Sequence, residues 1–153
     1  MLKILTNPHP LLRQRAKIVA DPLDAKIQTL IPQMVELMKK NDGAGLAAPQ
    51  VGQSVRLIVI GLKDNDLVLI NPKISRKSFL KEWGEEGCLS VPHTFGEVKR
   101  CKKITVKYLD ERGRQKKLIG QGLLARVIQH EVDHLNGILF IDKAKNLKKV
   151  SNP

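Results

Sequence analysis

Apolar positions recur along this chain in two rhythms. At Leu23, Ile27, Leu30, Ile31, Met34, Leu37 and Met38 the spacing is three and four residues, which predicts an amphipathic helix. Asp21-Pro22 marks its start, with the aspartate as N-cap and the proline at the first helical position. Asn41-Asp42-Gly43 marks its end. Pro32 predicts a kink inside it, because a missing N–H and a bulky ring conflict with the preceding turn. Strands are expected over residues 55–60, 67–70 and 73–81, with Asn71-Pro72 dividing the second from the third. Two more, over 104–109 and 115–119, flank a hairpin turn at 110–113. A second helix, over 123–135, opens after Gly120-Gln121-Gly122 and closes at Asn136-Gly137, where glycine suits the left-handed position after a helix end. Its stripe of Leu124, Ile128, Val132 and Leu135 makes it central rather than peripheral. Residues 1–20 read as a surface arm, 138–141 as a short apolar strand or turn, and 143–153 as a Lys-rich tail too short for a substantial further helix. Helical crossovers are missing between most strands, so the expected class is α+β, with antiparallel or mixed sheets packed around the central helix.

Composition narrows this picture in three ways. A chain of 153 residues suits one domain, spanning residues 1–153, with a real core. The first residues lack the apolar centre of a signal peptide, and no run approaches the ~18 apolar residues of a membrane span. A cytoplasmic protein with no membrane association is expected, and in a reducing compartment Cys88 and Cys101 are read as free thiols. Net charge is +12, from 27 Lys and Arg against 15 Asp and Glu, which favours polyanionic partners. That charge is spread along the chain, and only one Trp, one Tyr and three Phe accompany it. A solvated basic surface is therefore preferred over a dedicated nucleic-acid reader.

The chemistry gathers on the second helix. His130 and His134, one turn apart, can grip one metal ion from a single face. Glu131 between them can reach a water held by that metal without being a ligand. Buried histidines are costly unless their nitrogens are satisfied, and ligation satisfies them. A catalytic site needs a third protein ligand and an open position. Cys88, Cys101, His9, His93 and several carboxylates are candidates. Cys88 stands out in Gly84-Glu85-Glu86-Gly87-Cys88-Leu89-Ser90, where glycines allow a sharp turn and a thiolate suits a borderline or soft divalent metal. Cys101 reads as an inert packed thiol. Gly43-Ala44-Gly45-Leu46-Ala47-Ala48-Pro49-Gln50 lacks the Lys-Ser/Thr ending of a phosphate loop. It reads instead as a tight segment presenting main-chain groups to a substrate and ending in an amide donor, Gln50.

Taken in their order along the chain, Gly43 to Gln50, Glu86 to Ser90 and His130 to His134, and at these separations, the three stretches resemble the signature motifs of the peptide deformylase family. The resemblance spans nearly the whole chain. It implies a metal-dependent hydrolase that removes the formyl group from the N-terminal formyl-methionine of nascent polypeptides. It also implies that Cys88, His130 and His134 bind the metal and that Glu131 is the general acid/base. Gln50 and the backbone N–H of Leu89 would stabilise the oxyanion. Gly43, Ala44, Gly45, Glu86, Gly87, Leu123, Arg126 and Val127 would line the substrate site. The family's usual metal is Fe²⁺, with Zn²⁺, Ni²⁺ or Co²⁺ able to replace it, and a monomer is expected. Position 44 is alanine where a larger aliphatic is common. Arg126 is expected to lay its stem along the pocket with its guanidinium in water. Asp133, with Arg100 or Glu86, is expected to orient the histidines. The tail lacks the basic C-terminal helix with which many bacterial members dock on the ribosome, as in some phage-encoded members, so ribosome contact would fall to the diffuse basic surface. Two rivals remain at this point: a zinc metalloprotease that cleaves internal peptide bonds, and a non-catalytic basic module that binds RNA.

Overall fold

The computed structural model describes residues 1–151, so the last two positions of the expected tail lie outside the described residues. The first helix, α1, spans Ala25–Lys40 and starts later than expected. Asp24 caps it, its carboxylate accepting from Lys26 N at 2.8 Å, while Asp21 accepts from Leu23 N in a separate turn. Two aspartates compete for the cap, and the one closer to the apolar stripe takes it. The helix continues through Pro32, which sits on its exposed side, while Ile27, Leu30, Ile31, Met34 and Met38 are buried.

Two short strands follow, β1 (Gly45–Ala47) and β2 (Leu57–Ile60), with a 3-10 turn at Ala48–Val51 between them. Strand β3 (Leu67–Lys77) runs straight through Asn71-Pro72, where a break was expected. A register shift between Ile70 and Lys73 absorbs the proline. Asn71, at φ 52°, is held there by hydrogen bonds to the Val19 N–H and C=O. The hairpin of β4 (Lys81–Cys88) and β5 (Val91–Cys101) was not expected at all, because its glycines and charges obscure any alternation. Strands β6 (Lys103–Leu109) and β7 (Gln115–Gln121) form the expected second hairpin. The central helix, α2, spans Gly122–Leu135. A 3-10 turn at Phe140–Asp142 occupies the apolar stretch after it, and the tail adds a strand, β8 (Lys145–Lys149).

Every strand pair is antiparallel. The order is β1-β2-β3-β6-β7 in one sheet and β4-β5-β8 in the other, an α+β arrangement. Alternation along β2 sends Leu57 and Val59 to one side, where α1 covers them, and Ile58 and Ile60 to the other, beneath α2. A third apolar cluster of Leu12, Val91, Val98, Leu139 and Phe140 fastens the small sheet to the chain after α2. Helix α2 thus lies between the large sheet and the β4–β5 hairpin.

Gly137 ends α2 at φ 74°, and a Cβ there would meet the backbone oxygen of Arg13 at 2.5 Å. Gly137→Ala therefore combines left-handed strain with a backbone collision. It should lower stability by at least about 2 kcal/mol, read from the urea-unfolding midpoint. An unchanged midpoint would show that the arm yields freely.

Candidate metal centre and active site

Helical spacing sets His130 and His134 with ring centroids 5.0 Å apart on α2. The end of β4 brings Cys88 to them, with Sγ 3.3 Å from His134 Nε2. Ligand atoms of these three side chains lie within 4.8 Å of one another, and they are the one such grouping among the described residues. His93 and His9 are not in it, and Cys101 is buried and unpaired. One soft thiolate and two borderline imidazoles are a donor set for a divalent transition metal. His134 Nδ1 has no partner within the protein, and burial, with His130 nearby, pushes the His134 pKa well below its usual value. That direction favours the neutral imidazole, the state that ligation requires.

Around the first histidine the chain builds an ionic frame. Glu86, almost fully buried, meets His130 Nδ1 at 2.8 Å, which leaves Nε2 to face the cluster. The same carboxylate accepts two bonds from Arg100, each at 2.9 Å, and one from Arg126 at 2.7 Å. Burial alone would raise the Glu86 pKa, but the hydrogen bonds from Arg100 and His130 hold it well below the usual carboxylate range. For His130, burial pulls the pKa down, and Cys88 and Glu86 outweigh it upward. Phe140 stacks on the outer face of the His130 ring, with centroids 6.2 Å apart. Asp133 instead pairs with Arg100 at 2.6 Å and Lys143 at 3.0 Å. It reaches the site only through Arg100.

Glu131 faces the cluster from beside His130, with Oε1 4.0 Å from His130 Nε2 and Oε2 buried without a partner. Burial raises its pKa to about 7, partly opposed by His130. Gly45 makes room for it, since a Cβ at that position would lie 3.0 Å from Glu131 Oε1 and from Val127 Cγ1. Gln50 is oriented by its own loop: Oε1 accepts from Ala47 N at 2.9 Å. Its amide nitrogen donates to Ser90 Oγ at 3.1 Å and faces Cys88 Sγ at 3.5 Å.

These groups open onto a cleft of ≈ 690 Å³. Gly43, Ala44, Gly45, Gln50, Glu86, Gly87, Cys88, Leu89, Leu123, Arg126, Val127, His130 and Glu131 all line it, and His134 sits behind them, 1% exposed. Arg126 departs from expectation: its guanidinium is not in water. It donates to Glu86, to Val98 O and to Glu82 O, and its side chain is 11% exposed. It packs over Gly84, where a Cβ would lie 2.8 Å from Arg126 Cζ. Its charge is thus neutralised inside the wall of the cleft. Ile4, Thr6, Pro92, His93 and Phe95 also line the cleft and were missed, because the arm and β5 reach it through tertiary packing alone.

Residues 1–150 match the family model described as polypeptide deformylase. The chain is 51% identical over 135 residues to the peptide deformylase of Dictyoglomus thermophilum, covering 88% of this chain and 87% of the relative. It is similar to the crystal structure of a peptide deformylase from Synechococcus elongatus in complex with actinonin, with TM-score 0.91, 48% identity, and 95% of this chain and 79% of that one covered. It is also similar to the crystal structure of a probable peptide deformylase from Synechococcus phage S-SSM7, with TM-score 0.89, 45% identity, and 94% of this chain and 99% of that one covered.

If Glu86 positions His130 for ligation, Glu86→Gln should weaken metal affinity about 10–100-fold in competition with a chelator. Unchanged affinity would mean that His130 is held by packing alone.

Proposed function

The chain belongs to the polypeptide deformylase family, and on that premise we propose that Cys88, His130 and His134 hold its metal ion and that Glu131 is its general acid/base. The reaction itself is that of the family: a metal-dependent hydrolase removes the formyl group from the N-terminal formyl-methionine of newly synthesised proteins and releases formate. Residues 1–153 act as one catalytic domain. The observation that carries the assignment of roles is the convergence of one thiol and two imidazoles beside a buried, partnerless carboxylate oxygen.

When bound, a divalent ion in this set supplies Lewis acidity and lowers the pKa of a water molecule towards neutrality. We take Fe²⁺, the family's usual metal, as the ion used, with Zn²⁺, Ni²⁺ or Co²⁺ as substitutes that a mixed sulfur and nitrogen set also accepts. Glu131 takes the proton of the attacking water. Its pKa of about 7 lets it both accept and release that proton near neutral pH. The water oxygen adds to the formyl carbon, and negative charge gathers on the formyl oxygen. The Gln50 amide, held by Ala47 and Ser90, and the Leu89 N–H donate to that oxygen. One such donor is worth about 3–4 kcal/mol. As the carbon–nitrogen bond breaks, Glu131 delivers its proton to the leaving amine, and formate and a free N-terminus result.

Substrate recognition uses the same cleft. Gly43, Ala44 and Gly45 run along its edge and would meet the peptide main chain. Leu123, Val127 and the aliphatic stem of Arg126 would face the methionine side chain, with Glu86 and Gly87 closing the wall. Because Glu86 already neutralises Arg126, the arginine presents apolar surface there rather than charge. No helix among the described residues is long and apolar enough to cross a membrane. We read the chain as a cytoplasmic monomer that meets nascent polypeptides near the ribosome through its basic surface, a reading supported by the net charge of +12.

Formate release from formyl-Met-Ala-Ser, compared with the acetylated and unblocked peptides, tests the reaction. Only the formylated peptide should turn over, and cleavage of the unblocked peptide would favour the protease reading. Glu131→Ala should keep its metal and lose nearly all turnover, and substantial residual turnover would remove Glu131 from the role. Gln50→Ala should lower kcat about 10²–10³-fold, and a loss confined to KM would contradict oxyanion stabilisation.

A further inference from the structure

The deformylase reaction leaves one face of the molecule without a role. Strands β3, β6 and β7 lie side by side in the large sheet and carry seven cations: Lys73, Arg76, Lys77, Lys103, Lys107, Lys116 and Lys117. They carry no Asp or Glu. All seven side chains are exposed, and none makes a salt bridge among the described residues.

Register concentrates this charge. Lys73 stands opposite Lys107, and Lys107 opposite Lys117, so three lysines form a row across three adjacent strands. Strands are spaced about 4.8 Å apart, which sets the ends of the row roughly 10 Å from each other. The intervening rung, Ile74, Val106 and Leu118, points the other way, into the cluster beneath α2. The lysine row therefore faces away from α2. It borders a groove of ≈ 490 Å³ that also takes in Asn71, Tyr108, Leu109, Gln115 and Lys116. Like charges placed directly opposite each other destabilise a sheet. A row of three without a neighbouring carboxylate is the arrangement expected where an outside polyanion supplies the neutralising charge.

We propose that this outer face of β3, β6 and β7, centred on Lys73, Lys107 and Lys117, binds the phosphate backbone of RNA without reading its sequence. Charge complementarity selects a polyanion. Tyr108 is the one aromatic residue of these strands; half-buried and packed against the cluster beneath α2, it reaches the groove as a single ring and makes no platform on which successive bases could stack. The one exposed large apolar side chain here is Ile119, which gives a lipid surface little to hold. The cleft takes no lining residue from β3, β6 or β7, so the enzyme can bind RNA and substrate together. The use of such binding, to keep the enzyme beside the RNA-rich machinery from which formylated chains emerge, rests on the deformylase reading. The binding itself does not.

The test is fluorescence anisotropy of the whole chain with a labelled RNA hairpin of mixed sequence, repeated across a KCl series. The unsubstituted protein should bind with a steep salt dependence. The triple substitution Lys73→Gln, Lys107→Gln, Lys117→Gln should weaken binding at least about tenfold and flatten the log–log salt slope by about 2–3, close to one for each phosphate no longer neutralised. Arginine at the same three positions should restore binding. The control triple Lys63→Gln, Lys148→Gln, Lys149→Gln, which removes equal charge elsewhere, should stay within about threefold. Formate release from a free peptide should be unchanged in all of them, which also shows that they fold. The proposal is overturned if the unsubstituted protein does not bind the hairpin, or if both glutamine triples lose equally. It is also overturned if vesicles of phosphatidylglycerol and phosphatidylcholine are bound in place of RNA, with the loss following Phe79→Ser and Leu80→Ser at the exposed β3–β4 turn. RNA binding without formate release would instead sink the enzyme reading and leave this one standing.

Discussion

The proposed active centre is framed by one buried carboxylate. Glu86 lies two residues before Cys88 on β4, and it holds Arg100 from β5 together with Arg126 and His130 from α2. Together with the Arg100–Asp133 pair, the Arg126 bonds to Val98 and Glu82 and the Gln129 bonds to Cys101, it ties the hairpin that carries the thiol to the helix that carries the imidazoles. Burying such charges is expensive, and removing one partner from a buried ionic group typically costs about 3–5 kcal/mol. The cost is offset here because every Glu86 oxygen is engaged and both arginines find further acceptors, Asp133 for one and the Val98 and Glu82 carbonyls for the other. The network contributes position more than stability: it sets where Cys88 Sγ stands relative to His134.

Once that relation is fixed, the remaining chemistry follows from small local choices. Helical periodicity sets the two histidines on one face. Gly45, by having no side chain, lets Glu131 sit against β1, where burial lifts its pKa towards neutrality. Gln50 is aimed by Ala47 and Ser90, with Cys88 Sγ beside its amide nitrogen, so the amide is held in place by the protein alone. Charge is divided between the faces of the molecule. The cleft side balances its cations with Glu86 and Asp133, whereas the outer face of β3, β6 and β7 has no acid to do so.

Elements with local causes were legible in the sequence. The His130 and His134 spacing, the β6–β7 hairpin and the glycine stop at Gly137 each depend on a few neighbouring residues, and each lies close to where the pattern places it. The motifs likewise pointed to residues that share one cleft. Features with distant causes were not legible. In the β4–β5 hairpin, Gly84, Gly87 and Gly96 are small because Arg126, Phe95 and Leu147 press against them, and that requirement erases the strand alternation. Asn71-Pro72 looks like a break until Val19 of the arm is seen to hold the bulge. Arg126 looked solvated because its partner, Glu86, is 40 positions away. The choice of Asp24 over Asp21 as cap depended on where the apolar face of α1 meets the sheet.

The central claim is that one thiolate and two imidazoles from the hairpin and the helix form a single catalytic metal centre. Titration of metal-depleted protein with Co²⁺, following both the thiolate-to-cobalt absorption and formate release, tests it most directly. The two signals should rise together and level off at a single ion per chain, and Cys88→Ser should lose the thiolate band. Full formate release from metal-depleted protein, or a cobalt complex without a thiolate band, would contradict the account.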